Sequence, residues 1–239
     1  MKTLFLIRSG EAKERDDPGS ASRPLSKRGA KAARSCALAA ASLGFSPQRL
    51  CCDARLSTWE TALAYAHASG VSPGAIAQDP RLELKETQER LIEYVLSLDD
   101  GLDSFCILVR RSRASPFLEG LFPSYALKLP KAGMARIVFD VPRWSAVKPA
   151  AARLDAYLVP AGGDEYHRVA KLLMRSTCKA ALASFSAALR RSRLTDADAI
   201  LEKANKALAK VVASAFMDKD FLVVDDPSLF ELVFDKPYA

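Results

Sequence analysis

The chain has 239 residues, of which 49% are hydrophobic and 26% are charged, as in an ordinary globular protein. No apolar stretch approaches the roughly 18 residues of a membrane span, and the apolar N-terminal run stops at Arg8, too early for a signal peptide, so we expect a cytoplasmic protein. The formal charge of +7 is spread along the chain, which favours a solvated basic surface over a nucleic-acid-binding tract.

Cysteine and histidine residues give little sign of metal or redox chemistry. The chain has five cysteines, an odd number without a C-x-x-C spacing, and we expect buried, reduced thiols. His67 is predicted to lie on a helix surface and His167 in a later helix, where it is catalytic only if that helix folds over the site. No metal or cofactor is predicted.

Short apolar runs and helical patterns alternate over the first 160 residues. Strands are predicted at residues 3–7, 50–52, 75–78, 105–109 and 135–141. Helices are predicted from Gly29 to about residue 43, at 57–68 and at 85–98, and a short one is expected to open at Pro116.

This alternation indicates βαβ units, and therefore an α/β fold with a mainly parallel sheet between two helical layers, a three-layer αβα architecture. Ligands of such sheets bind at the carboxyl ends of the strands. Those ends are Arg8-Ser9-Gly10, residues 53–57 and residues 110–112, and we expect any chemistry to lie there.

The pattern changes after Pro160. Two helical stretches, at about residues 164–191 and 195–217, predict a helical hairpin, and a strand-like run follows at Phe221–Val224. We therefore predict an α/β domain at residues 1–160 and a C-terminal helical extension at residues 161–239. The apolar stripes of the hairpin are expected to pack on the α/β domain or on a second copy of the chain, as a homodimer.

Four short runs in the first domain resemble motifs of one known family. They are Leu4-Phe5-Leu6-Ile7-Arg8-Ser9-Gly10-Glu11-Ala12, Arg23-Pro24-Leu25-Ser26-Lys27-Arg28-Gly29, Asp53-Ala54-Arg55-Leu56-Ser57-Thr58-Trp59-Glu60-Thr61-Ala62 and Ile107-Leu108-Val109-Arg110-Arg111-Ser112. Phe139-Asp140 and Trp144 resemble the family's final strand and its exit. The order and spacing of these runs resemble those of the motifs in the histidine phosphatase superfamily (phosphoglycerate mutase-like), specifically in its bacterial phosphohistidine phosphatase branch. The resemblance covers about residues 1–160. The resemblance implies a phosphoglycerate mutase-like fold.

The chain departs from the family at its catalytic positions. In the family, the first motif reads Arg-His-Gly-Glu and its histidine is the nucleophile, while two arginines and a second histidine hold the phosphoryl group. Here the nucleophile position holds Ser9 and the second histidine position holds Arg111. Counted back from Ala62 without a gap, the second arginine position holds Ser57, and Arg55 lies two residues earlier.

The resemblance therefore implies a phosphatase scaffold that has lost its chemistry. We expect a catalytically inactive, phosphohistidine-phosphatase-like protein that binds phosphate or a phosphorylated protein or small molecule, or acts as an interaction module. Phosphate contacts are expected from Arg8, Ser9, Arg111 and Arg55, since guanidinium groups suit bidentate phosphate binding. The alternatives are an active phosphatase with Ser9 as an unorthodox nucleophile, and a scaffold without a ligand.

Overall fold

The computed structural model describes residues 1–14, 21–83, 88–125, 127–162, 164, 166–172 and 221–224, without the side chains of residues 88–90, 111, 113 and 150. The strands are β1 (Lys2–Arg8), β2 (Arg49–Cys52), β3 (Ile76–Gln78), β4 (Ser104–Val109), β5 (Met134–Phe139), β6 (Ala152–Pro160) and β7 (Phe221–Val224). The α-helices are α1 (Lys27–Ser42), α2 (Leu56–Ser69), α3 (Gln88–Leu96) and α4 (Arg111–Leu121).

Within the described residues, the seven strands form one sheet in the order β3-β2-β4-β1-β5-β6-β7. Strands β3, β2, β4 and β1 pair in parallel, whereas β5, β6 and β7 add by antiparallel pairing. Because β6 is antiparallel to β5, it runs in the same direction as β1. The carboxyl ends of five strands therefore lie at one edge of a sheet that is mixed rather than mainly parallel, with three parallel and three antiparallel pairings among its described strands.

Helices cover both faces of this sheet. In β1, Leu4 and Leu6 pack into the cluster that contains the buried residues of α3 and α4, and Phe5 and Ile7 pack into the cluster that contains those of α1 and α2. Successive side chains of a strand point to opposite faces, so a strand buried on both faces reads as a continuous apolar run. The predicted three-layer αβα architecture is confirmed.

Two predictions within the first 160 residues are wrong. Phe139-Asp140 does not close the final strand, because β6 and β7 follow β5 in the same sheet. The sequence signal for β6 was the alternation of apolar residues at 154, 156 and 158 with Arg153 and Asp155. Pro116 lies inside α4 and does not open it, since the helix begins five residues earlier, directly after β4.

Two segments beyond residue 160 contribute to the core of the sheet. Val169 and Ala170 are buried in the cluster of α3 and α4, and β7, which confirms the strand-like run, buries Leu222 and Val224 against β6. The rest of the predicted hairpin, residues 173–217, lies outside the described residues. No helix in the described part of the chain is long and apolar enough to cross a membrane.

Candidate functional site

Three loops that were predicted to carry the chemistry meet at the carboxyl edge of the sheet. In the paired strands, Arg8 lies opposite Val109, and Cys52 lies opposite Leu108. The Ser9 N–H donates to the Val109 carbonyl at 3.0 Å, which fixes the first loop beside the third.

The predicted site residues all come from these loops. Arg8 and Ser9 are half-buried, and Ser57, in the first turn of α2, is buried. Arg55 is the half-buried N-cap of the same helix, and Arg111 is the first residue of α4, although its side chain is outside the described atoms. The structure thus brings their backbone positions to one edge, and their roles as ligand contacts stay predictions.

The loops also hold an ion pair that the sequence analysis did not single out. Asp53, after β2, is 1% exposed, and its Oδ2 lies 3.7 Å from the Nε atom of Arg110, after β4. Asp53 Oδ1 accepts a hydrogen bond from the Arg55 N–H at 3.1 Å. Burial raises the pKa of Asp53, against the lowering effects of hydrogen bonds and the nearby arginines. The sequence signal was position alone, since both residues lie in loops that the sequence analysis placed at the carboxyl ends of strands.

The family-like motif residues that the chain keeps are tied into the scaffold. Thr61 Oγ1 accepts the Gly10 N–H at 3.0 Å and donates to the Ser57 carbonyl at 2.7 Å. Glu60 accepts the Leu25 N–H at 2.5 Å. These bonds hold the N-terminus of α2 against both the β1 loop and the segment that leads into α1.

A cationic cleft of about 750 Å³ opens at the carboxyl ends of β1 and β6. Among the predicted site residues that have described side chains, Arg8 lines it, whereas Ser9, Arg55 and Ser57 do not. The other described cations that line it come from α1, from the loop before β5 and from the segment after β6: they are Arg28, Lys128, Lys131 and Arg168. We call this pocket the cationic cleft.

The acidic residues in the cationic cleft are Glu11 and Asp164. The Lys131 ammonium lies 2.8 Å from Glu11 Oε2, and the Ser26 hydroxyl donates to Oε1 at 3.1 Å. The contact with Lys131 holds the pKa of Glu11 below its usual value. Glu11 therefore stays ionised and bound to its neighbours at neutral pH.

Neither histidine lines the cationic cleft. His67 is exposed near the end of α2, as predicted, and lines a separate, largely apolar groove between α1 and α2. His167 is exposed, although Tyr166 and Arg168 on either side of it line the cleft. Across the described residues, no group of three or more potential metal ligands occurs.

Solved structures share this arrangement of strands and helices. SixA of Agrobacterium tumefaciens, assigned as a phosphohistidine phosphatase, matches with a TM-score of 0.55 and 18% identity, over 67% of this chain and 99% of its own. This chain has the histidine phosphatase fold. SixA of Nakamurella multipartitia matches with a TM-score of 0.52 and 16% identity, over 64% of this chain and 92% of its own.

A third SixA, solved as a protein histidine phosphatase in complex with tungstate, matches with a TM-score of 0.50 and 18% identity, over 58% of this chain and 88% of its own. No protein-family sequence model matches the chain, and no curated protein sequence matches it. The histidine phosphatase fold is thus shown by structure, at identities too low to carry over a function.

Proposed function

We propose that this chain is a catalytically inactive histidine-phosphatase-like protein that binds a phosphorylated ligand in the cationic cleft. The observation that carries the proposal is that Arg8 lines a cleft with four further cations. The resemblance adds that Ser9 takes the place of the family's nucleophilic histidine. Binding of a phosphoryl group requires positioned cations, whereas transfer also requires an activated nucleophile.

The Arg8 guanidinium is held in place for such binding. Its Nη1 donates to the Leu129 carbonyl at 2.8 Å, which anchors the side chain on the loop before β5. An anchored guanidinium loses little conformational freedom when it binds an oxyanion. The tungstate complex of the third SixA supports the proposal by analogy, since tungstate is a tetrahedral oxyanion like phosphate.

The surroundings of Ser9 support the loss of catalysis. A serine hydroxyl attacks phosphorus only when an adjacent base takes its proton. Glu11, the nearest carboxylate in sequence, is paired with Lys131 and has a lowered pKa, which makes it a weak base. Both histidines are exposed and lie outside the cationic cleft.

Thermal melting with millimolar phosphate, vanadate or tungstate tests the binding. A ligand at a hundred times its dissociation constant adds about 2.7 kcal/mol of stability, so we expect a rise of several degrees in Tm. Arg8→Ala should abolish the rise. Arg34→Ala, which removes an exposed arginine of α1 that does not line the cationic cleft, should keep it.

Hydrolysis of an aryl phosphate separates the proposal from its alternatives. We expect no turnover by the wild-type chain. Turnover that is lost in Ser9→Ala would overturn the proposal in favour of an active phosphatase with a serine nucleophile. An unchanged Tm with every oxyanion would instead favour a scaffold without a ligand.

A further inference from the structure

Cations outnumber acids among the described side chains that line the cationic cleft. Five cationic and two acidic side chains line it, a surplus of three positive charges among the described residues. A phosphate monoester carries about −1.5 to −2 charges at neutral pH. Counted over these described side chains alone, one phosphoryl group would offset only part of the surplus.

Two of the guanidiniums are anchored on different walls of the cleft. Arg8, at the end of β1, donates to the Leu129 carbonyl in the loop before β5. Arg28 Nη2, from the first turn of α1, donates to the carbonyl of Gly162 at 2.5 Å, beyond the end of β6. Two strand spacings separate β1 from β6, or about 10 Å at 4.7–4.9 Å per spacing.

The volume of the cleft agrees with an extended ligand. At about 750 Å³ it lies within the range of pockets that hold organic ligands rather than a single small ion. Its walls include Pro130 before β5, Pro160 at the end of β6 and the buried ring of Tyr166. Proline and a buried aromatic ring give these walls a fixed shape.

We infer that the cationic cleft binds a small ligand that carries two or more phosphoryl groups, one near Arg8 and another near Arg28 and Arg168. This inference rests on the proposed function, because it presupposes that the cleft binds phosphoryl groups at all. Arg28 determines the preference for the longer anion, and Arg8 holds the phosphoryl group that every ligand of the class shares.

Calorimetric titration with orthophosphate, pyrophosphate and tripolyphosphate, at constant ionic strength, tests the inference. We expect tripolyphosphate to bind about tenfold tighter than orthophosphate or better, because each added charge-assisted contact contributes on that scale. Citrate, a trianion without phosphorus, is the charge control and should bind more weakly than tripolyphosphate.

Arg28→Gln should weaken tripolyphosphate about tenfold and leave orthophosphate nearly unchanged. Arg34→Gln removes the same charge from the same helix, outside the cleft, and should change neither affinity. Arg168→Gln is the second test variant, and the Tm of each ligand-free variant shows that it folds.

The outcomes separate the two proposals. Tight orthophosphate binding with no gain for tripolyphosphate overturns the inference and leaves the proposed function standing. Equal binding of citrate, or equal losses in Arg28→Gln and Arg34→Gln, also overturns it, since general electrostatic attraction would then suffice. Failure of every anion to bind overturns both.

Discussion

The side chain of Asp53 is almost fully buried where the loops after β2 and β4 meet. It forms an ion pair with Arg110, but the 3.7 Å between Nε and Oδ2 is too long for a hydrogen bond. Both of these atoms are buried without a hydrogen-bond partner. The ion pair therefore recovers only part of the cost of burying the charge, which is why burial dominates and the pKa of Asp53 is raised.

Asp53→Asn tests this balance through the pH dependence of stability. A carboxyl group whose pKa is higher in the folded state takes up its proton at a higher pH in the folded protein than in the unfolded chain. As the pH falls from about 7 towards the unfolded pKa near 3.9, the wild-type chain should gain unfolding free energy relative to Asp53→Asn. Each unit of pKa elevation corresponds to about 1.4 kcal/mol.

Urea denaturation of both proteins across this pH range measures the difference. Asparagine keeps an oxygen for the hydrogen bond from the Arg55 N–H, so that contact is matched between the two chains. If the wild-type chain instead loses unfolding free energy relative to Asp53→Asn as the pH falls, attraction to Arg110 outweighs burial.

Contact between α1 and the β1 loop depends on Gly29. A Cβ atom at this position would lie 2.2 Å from the carbonyl oxygen of Glu11, far inside van der Waals contact. The N-cap residue of α1 is also bonded to this loop, because the Ser26 N–H donates to the same carbonyl at 2.8 Å. The helix therefore cannot move away to make room for a side chain at position 29 without losing the hydrogen bond between Ser26 and Glu11.

Gly29→Ala should destabilise the chain, although alanine is the better helix former. Alanine in place of glycine normally favours a helix by about 0.8–1.0 kcal/mol. Here the clash with backbone should cost about 1–3 kcal/mol or more, as overpacking does, and lower the Tm by several degrees.

Gly74→Ala is the control, because the nearest atom to its Cβ would be the Ser72 hydroxyl at 3.7 Å, and its Tm should change little. Chemical denaturation of both variants gives the comparison. An unchanged or raised stability of Gly29→Ala would show that the helix does not approach the loop this closely.

These contacts explain how much of the fold the sequence predicted. Gly29, Glu60 and Thr61 belong to the family-like motifs, and each joins elements that are far apart in the chain, so the motifs carried information about the scaffold. Strand β6 was missed because its alternating pattern was weaker than the buried runs of β1 and β4. Pro116 was misplaced because local proline preference does not show that α4 starts directly after β4.

The site was predicted in part for the same reason. Parallel strand order placed Arg8 and Ser9 at the carboxyl edge from the sequence alone. The other cations of the cationic cleft could not be predicted, because the cleft forms only when β6 returns parallel to β1 and brings the segment after Pro160 to that edge. A fold predicted without β6 gives no indication that Arg28 and Arg168 line the same cleft as Arg8.

At the scale of the whole molecule, β7 bears on the predicted boundary at residue 160. This strand comes from the C-terminal side of the boundary, yet it pairs with β6 at the edge of the same sheet. Leu222 and Val224 are buried in the core cluster that also contains residues of β1 and β4. We therefore propose that residues 1–160 and β7 unfold as one cooperative unit.

Leu222→Ala in the full chain tests this cooperativity. Leu222 is fully buried, so its truncation should cost about 2–5 kcal/mol and shift one common transition, followed by fluorescence and by circular dichroism. Leu38→Ala is the matched control: this leucine is 65% exposed on α1, and the same substitution should change stability by about 0.5 kcal/mol or less. Two separated transitions, with only one moved by Leu222→Ala, would mean that the C-terminal segment unfolds as a domain of its own.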